Sequence, residues 1–220
     1  MPHQLRADLL ALDEATSRLV RTADALTDAE AGEPSLLPGW TRGHVLTHLA
    51  RNADALVGLV DGALTGVAAP MYPSVEARAA DIEAGAGRPA AELAADILGS
   101  ADRLRAAFER LAEDESAFDR LVFFGPPRPG AVPDTPARTL PYARTREVEI
   151  HHVDLGLASY TEHDWPDDFV ERTLLFVHAR SGPVDVVGEP AEVLAWRLGR
   201  TSGPSLTRLD GSPPGDAPPW

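Results

Sequence analysis

The sequence predicts a mainly α-helical protein, a four-helix bundle followed by a small α/β domain. Three observations carry this. Four long stretches repeat apolar residues at the 3.6-residue period of a helix. The breaks between them are rich in Pro and Gly. After Trp165-Pro166 the pattern shortens into two helical and two strand-like pieces. Residues 1–162 are therefore read as the bundle, and 163–220 as the smaller α/β domain with an extended Pro-rich tail. That segment is too small for a robust core of its own.

The first helix is expected over Pro2–Leu26, where Leu5, Leu9, Leu12, Leu19 and Leu26 keep the period. Glu33–Trp40 is a loop broken by Pro and Gly. Thr41 is a suitable N-cap for a second helix reaching Ala63. Its stripe is Val45, Leu49, Leu56 and Leu59, widened by Leu46, Val57 and Val60. Gly62–Gly87 reads as a loop with a short helix. Pro89 opens a third long helix, to Glu115, with Leu93, Ile97, Leu104, Phe108 and Leu111 inward. Phe124–Pro141 carries six Pro and two Gly and is read as one long loop, a kind of segment that is often functional. A fourth helix is expected over Leu140–Tyr160, with Val148, Ile150, Val153, Leu155 and Leu157 as its apolar set. In the smaller domain, helices are expected at Asp167–Arg180 and Ala191–Leu198, and strands at Val184–Val187 and Ser205–Leu209. The tail from Pro213 to Trp220 should be extended or disordered.

Composition removes several functions. The 220 residues carry 20 Lys+Arg against 34 Asp+Glu, a net charge of −14. Phosphate contacts need clustered cations, so neither nucleic acid nor an anionic membrane is an expected partner. There is no Cys, which excludes disulfides, thiolate metal sites and a Cys nucleophile. All 20 basic residues are Arg, so a Schiff-base Lys is excluded as well. No apolar run approaches the ~18–20 residues of a membrane helix. The N-terminus lacks the apolar stretch of a signal peptide, and a cytoplasmic location is the default. The near absence of Lys, Asn and Ile points to a GC-rich bacterial genome.

The polar residues on apolar faces carry the chemistry. Four of the seven His fall in two stretches, His44 and His48 on the second helix and His151 and His152 on the fourth. His48 and Asn52 share a stripe with Val45, Leu49 and Leu56, one turn apart. On the fourth helix Glu147, His151 and Asp154 form a polar stripe beside Ile150 and Leu157. A carboxylate and an imidazole at i, i+4 can converge with an imidazole from a facing helix. Two His and one Glu suit a catalytic zinc with an open position, and bundle cores are a usual place for one. Asp154 or Asn52 could orient a ligand imidazole. Taken singly, each feature has a plainer reading: His48 as a satisfied core histidine, His44 as a structural or surface residue, and Glu149 with His152 as a rival pair. Arg144 and Arg146 suit anion binding or ordinary ion pairs. Arg200, at the end of Trp196-Arg-Leu-Gly-Arg200, is also favoured there by the helix dipole. There is no G-x-S-x-G elbow, phosphate loop or dinucleotide fingerprint.

The stretch Leu37-Pro-Gly-Trp-Thr-Arg-Gly-His-Val-Leu-Thr-His-Leu-Ala-Arg-Asn-Ala-Asp-Ala-Leu56 resembles the N-terminal signature of the mycothiol-dependent maleylpyruvate isomerase family. Arg146-Glu-Val-Glu-Ile-His-His-Val-Asp-Leu155 resembles its second signature, and Trp196-Arg-Leu-Gly-Arg200 a weaker C-terminal motif. The resemblance implies a DinB-like four-helix bundle with a small C-terminal α/β domain. It implies a zinc ion, or another divalent metal, on His48, Glu147 and His151, and an arginine linked with activity at Arg200. It implies mycothiol, the low-molecular-weight thiol of actinobacteria, as cofactor. The implied reaction is addition of the thiolate to maleylpyruvate, rotation about the new single bond, and elimination to fumarylpyruvate. Arg200 would hold the substrate carboxylates, with Arg144 and Arg197 as weaker options. The partners are then mycothiol and a small electrophilic substrate. Two other readings stand beside it: a mycothiol S-transferase for other electrophiles, and a non-catalytic bundle that binds metal or a protein.

Overall fold

The computed structural model describes residues 3–125 and 130–217. The expectations for Pro2, for 126–129 of the Pro-rich loop and for 218–220 of the tail lie outside the described residues. The chain divides into two units, Met1–His151 and His152–Trp220.

The first unit is a helical bundle. Helix α1 (His3–Ala25) buries Leu5, Leu12 and Leu19, the residues that set its period. A short helix, α2 (Asp28–Gly32), follows; sequence periodicity missed it because five residues make no period. Its capping box was nonetheless written in the chain, since Thr27 caps the Glu30 N–H and Glu30 reaches back to the Thr27 N–H. Helix α3 (Arg42–Thr65) starts at the expected cap, Thr41. Its N3 residue is His44, whose Nδ1 accepts from the Thr41 N–H at 3.2 Å. His44 thus closes a capping box, and its Nε2 lies 3.1 Å from Glu83. Helix α4 (Val75–Ala86) is capped by Ser74 and packs on α3. Helix α5 (Ala90–Glu113) turns Leu93, Ile97, Leu104, Phe108 and Leu111 inward, as its spacing required. Buried side chains of α1, α3 and α5 make the core with Leu140, Val148 and Ile150 of α6 (Leu140–Asp154). Arg51 reaches Asp96 at 2.6 Å and so ties α3 to α5, and Arg88, in the turn before α5, reaches the same carboxylate at 2.7 Å.

Two expectations need correction here. The segment 124–141 is not loop throughout. It contains β2 (Thr135–Pro136), paired antiparallel with β1 (Leu121–Val122), and a 3-10 turn at Ala137–Thr139. The fourth long helix ends at Asp154, six residues short of Tyr160. Gly156 takes a left-handed φ of 65°, which stops the helix although Leu155 and Leu157 continue the apolar pattern.

In the second unit, α7 (Asp167–Ser181) and α8 (Pro190–Arg197) match the expected helices. A small antiparallel ladder joins β3 (Val186–Val187) to β4 (Thr207–Arg208). Val186, Val193, Trp196 and Leu206 form its core. The described part of the tail is held rather than free: Trp196 Nε1 donates to the Gly215 carbonyl at 2.8 Å, and Arg208 donates to that of Pro214. Among the described residues no helix is long and apolar enough to cross a membrane.

Candidate metal centre

Helices α3 and α6 bring together His48, Glu147 and His151, residues separated by about a hundred positions in the chain. Each offers one ligand atom, and all three atoms lie within 4.8 Å of one another. The geometry follows from helical spacing. Glu147 and His151 are one turn apart on α6, with His151 Nε2 at 3.7 Å from Glu147 Oε2. His48 Nε2 lies 3.1 Å from the same oxygen. The two imidazoles meet edge to face, their centroids 4.7 Å apart. Donors held about 2.1 Å from a tetrahedral ion lie about 3.4 Å from each other. The two measured separations bracket that value, so the residues fit a divalent ion.

The protonation states also suit a metal. His48 is only 4% exposed. Burial pushes its imidazole down to about 4, against the opposing pull of Glu147, so the ring is neutral at neutral pH. Burial alone would raise Glu147. The hydrogen bond from His48, then the charge interactions with His48 and His151 and lastly with Arg144, outweigh it and hold the carboxyl at about 2. A neutral imidazole and an ionised carboxylate are the forms that ligate.

The surrounding residues fix this arrangement. Asn52 is buried and accepts from Arg144 Nη1 at 2.8 Å. Arg144 is itself buried, and burial lowers its guanidinium to about 10 while Glu147 pulls the other way. The Asn52–Arg144 pair thus sets a fixed cation behind the carboxylate. Trp40, from the loop before α3, packs against both His44 and His48, with centroids 6.1 and 5.7 Å away. Arg78 of α4 donates to His48 Nδ1 at 3.1 Å and lies 5.6 Å above the Tyr72 ring. Burial, then the negative charge of Glu147, raises the Tyr72 hydroxyl. Trp40 stood inside the quoted signature without a role, and Tyr72 and Arg78 went unread. They lie in the aperiodic stretch between two glycines, where nothing in spacing marks a face.

The remaining candidates have partners of their own. Glu149 is buried and bound by Arg18 at 2.5 Å. His152 stacks on Tyr160 with centroids 3.7 Å apart. In the second unit Arg200 grips Asp154 with two nitrogens, Nε to Oδ1 at 3.0 Å and Nη2 to Oδ2 at 2.9 Å. Its third nitrogen donates to the Leu198 carbonyl. Arg197 is fully buried and donates to Ser181 and to the Gly182 carbonyl.

Comparison with known proteins bears on the fold and the family. No curated protein matches the chain. A crystal structure of the mycothiol-dependent maleylpyruvate isomerase superposes with a TM-score of 0.85 at 28% identity. The alignment covers 100% of this chain and 98% of that one. A crystal structure of a histidine-to-alanine mutant of that enzyme gives the same TM-score, identity and coverage. The family model for the mycothiol maleylpyruvate isomerase N-terminal domain matches residues 12–156, well over half of the chain, and the chain is therefore a member of the mycothiol maleylpyruvate isomerase family.

Proposed function

We propose that this protein is a zinc- and mycothiol-dependent isomerase that converts maleylpyruvate to fumarylpyruvate by reversible addition of the thiol to the activated double bond. The observation that carries this is the convergence of His48, Glu147 and His151 within 4.8 Å. A divalent ion held by them supplies Lewis acidity that favours the thiolate form of a bound thiol. The chain has no Cys of its own, so the sulfur comes from the small thiol.

The residues around the ligands then have definite tasks. Arg144, held by Asn52, adds a fixed positive charge to the larger effect of His48 in favouring the ionised form of Glu147. Trp40 covers one side of His48 and restricts water there. Arg200 is assigned to the substrate side, as the arginine linked with activity. Asp154 fixes its plane through the two-pronged contact.

Metal analysis of the purified chain tests the reading first, and about one zinc per chain is expected. Incubation with maleylpyruvate should then yield fumarylpyruvate only when mycothiol is added. A zinc-loaded protein that couples mycothiol to other electrophiles and leaves maleylpyruvate unchanged is instead an S-transferase. A chain that takes up neither metal nor thiol is a non-catalytic bundle.

A further inference from the structure

Arg78 differs from the arginines near it. Arg51 and Arg88 are committed to Asp96, and Arg103 to Asp54. Arg78 is half-buried, and among the described residues it forms no ion pair with a carboxylate. Its partners are a neutral ring nitrogen, His48 Nδ1, and the Tyr72 side chain. A permanent cation in this setting is short of an anion.

The bond to His48 also conflicts with metal binding. A guanidinium only donates, so His48 Nδ1 must offer its lone pair to Arg78. The ring proton then sits on Nε2, from which it is donated to Glu147 at 3.1 Å. An ion taken on Nε2, the atom facing Glu147, needs the other tautomer, with the proton on Nδ1. Two N–H groups would then oppose each other. Metal uptake at Nε2 and the Arg78–His48 bond exclude one another.

The geometry points to Arg78 as the carboxylate receiver of this centre: a cation that metal uptake releases from His48, and that then pairs with a carboxylate of a small anionic substrate. The release step rests on the metal reading above. An arginine suits the role because its planar fork meets a carboxylate with two parallel hydrogen bonds. The local cation also draws an anion toward a chain whose net charge of −14 repels it. Tyr72, buried under the guanidinium, holds the stem in place during the exchange.

Succinate, a dicarboxylate with no reactive double bond, serves as the probe in calorimetry, with and without zinc. Binding should be tighter with zinc. Arg78→Ala should weaken it about tenfold or more in the zinc-loaded protein, the worth of a charge-assisted pair. Arg78→Lys, which keeps the charge and loses the fork, should fall between the two. Zinc affinity is read in parallel by competition with a chromophoric chelator. Arg78→Ala should hold zinc at least as tightly as the parent, because a competitor for His48 is gone. Unchanged succinate affinity in Arg78→Ala overturns the assignment. So does loss of zinc from that variant, which would make Arg78 a mere support for His48. A parent chain that takes no zinc overturns the metal reading and with it the release step, whereas a parent that takes zinc and binds succinate no better than Arg78→Ala overturns the receiver role alone.

Discussion

His48 shows how one side chain links burial to chemistry. An imidazole taken from water loses its proton readily, and the same burial leaves it needing partners. It has two, Arg78 and Glu147, one on each nitrogen. His48→Ala removes a proposed ligand and leaves the α3 core of Val45, Leu49 and Leu56 untouched. The expected outcome is loss of bound zinc and of activity with an unchanged helical circular dichroism spectrum. One zinc per chain retained in this variant would remove His48 from the ligand set. Arg197 makes the opposite case. It is fully buried, yet among the described residues its Nε and Nη1 find no hydrogen-bond partner. Burial lowers its guanidinium, the mark of a charge held at a cost. Replacing a buried charge with an apolar side chain of similar reach is often neutral or stabilising. Arg197→Met should therefore unfold in urea within about 1 kcal/mol of the parent, or later. A loss of several kcal/mol would show that the guanidinium fixes α8 through Ser181 and Gly182.

The helices that carry regular leucines were legible, and the reason is physical. Leu5, Leu12 and Leu19, or Leu93, Ile97 and Leu104, mark a buried face whatever packs on it. The same logic overshot α6, because apolar residues continue past the glycine that ends the helix. The convergence of Glu147 and His151 on α6 was legible for its i, i+4 spacing. Arg78 was not, since its place depends on how α4 approaches α3, and that approach is set by glycines. At Gly43 an added Cβ would stand 2.1 Å from the Ala86 carbonyl oxygen, and at Gly85 2.5 Å from the Thr47 methyl. Gly43→Ala must push the two backbones apart. It should cost about 1–3 kcal/mol, the usual range for overpacking. That corresponds to roughly 2–4 °C in Tm per kcal/mol for a chain of this size. Gly58, exposed on the same helix with nothing within 4 Å, is the control. Gly58→Ala should stabilise by up to about 1 kcal/mol, the difference in helix propensity. Equal melting temperatures for the two variants would remove the close approach as a constraint.

At the scale of the molecule, the proposed ion is a tether across sequence distance. His48 and Glu147 are 99 positions apart, and all three ligands fall within the first unit, Met1–His151. An unfolded chain must close that long loop before it can offer the same three donors, so the ion binds the folded form far better. By mass action, zinc at a hundred times its dissociation constant should stabilise folding by about 2.7 kcal/mol. Chelation should reverse the gain. The location of the ligands makes a sharper prediction than a shift in Tm. Hydrogen exchange with zinc, compared with exchange in excess chelator, should show slower exchange along α3 and α6, the two elements the ion joins. His48→Ala should abolish the difference. A gain of protection in the wild type that persists in His48→Ala would mean that zinc acts elsewhere on the chain, for which its 34 acidic residues offer ample loose sites. Because His151 lies in the last turn of α6, protection should also reach the C-terminal end of that helix.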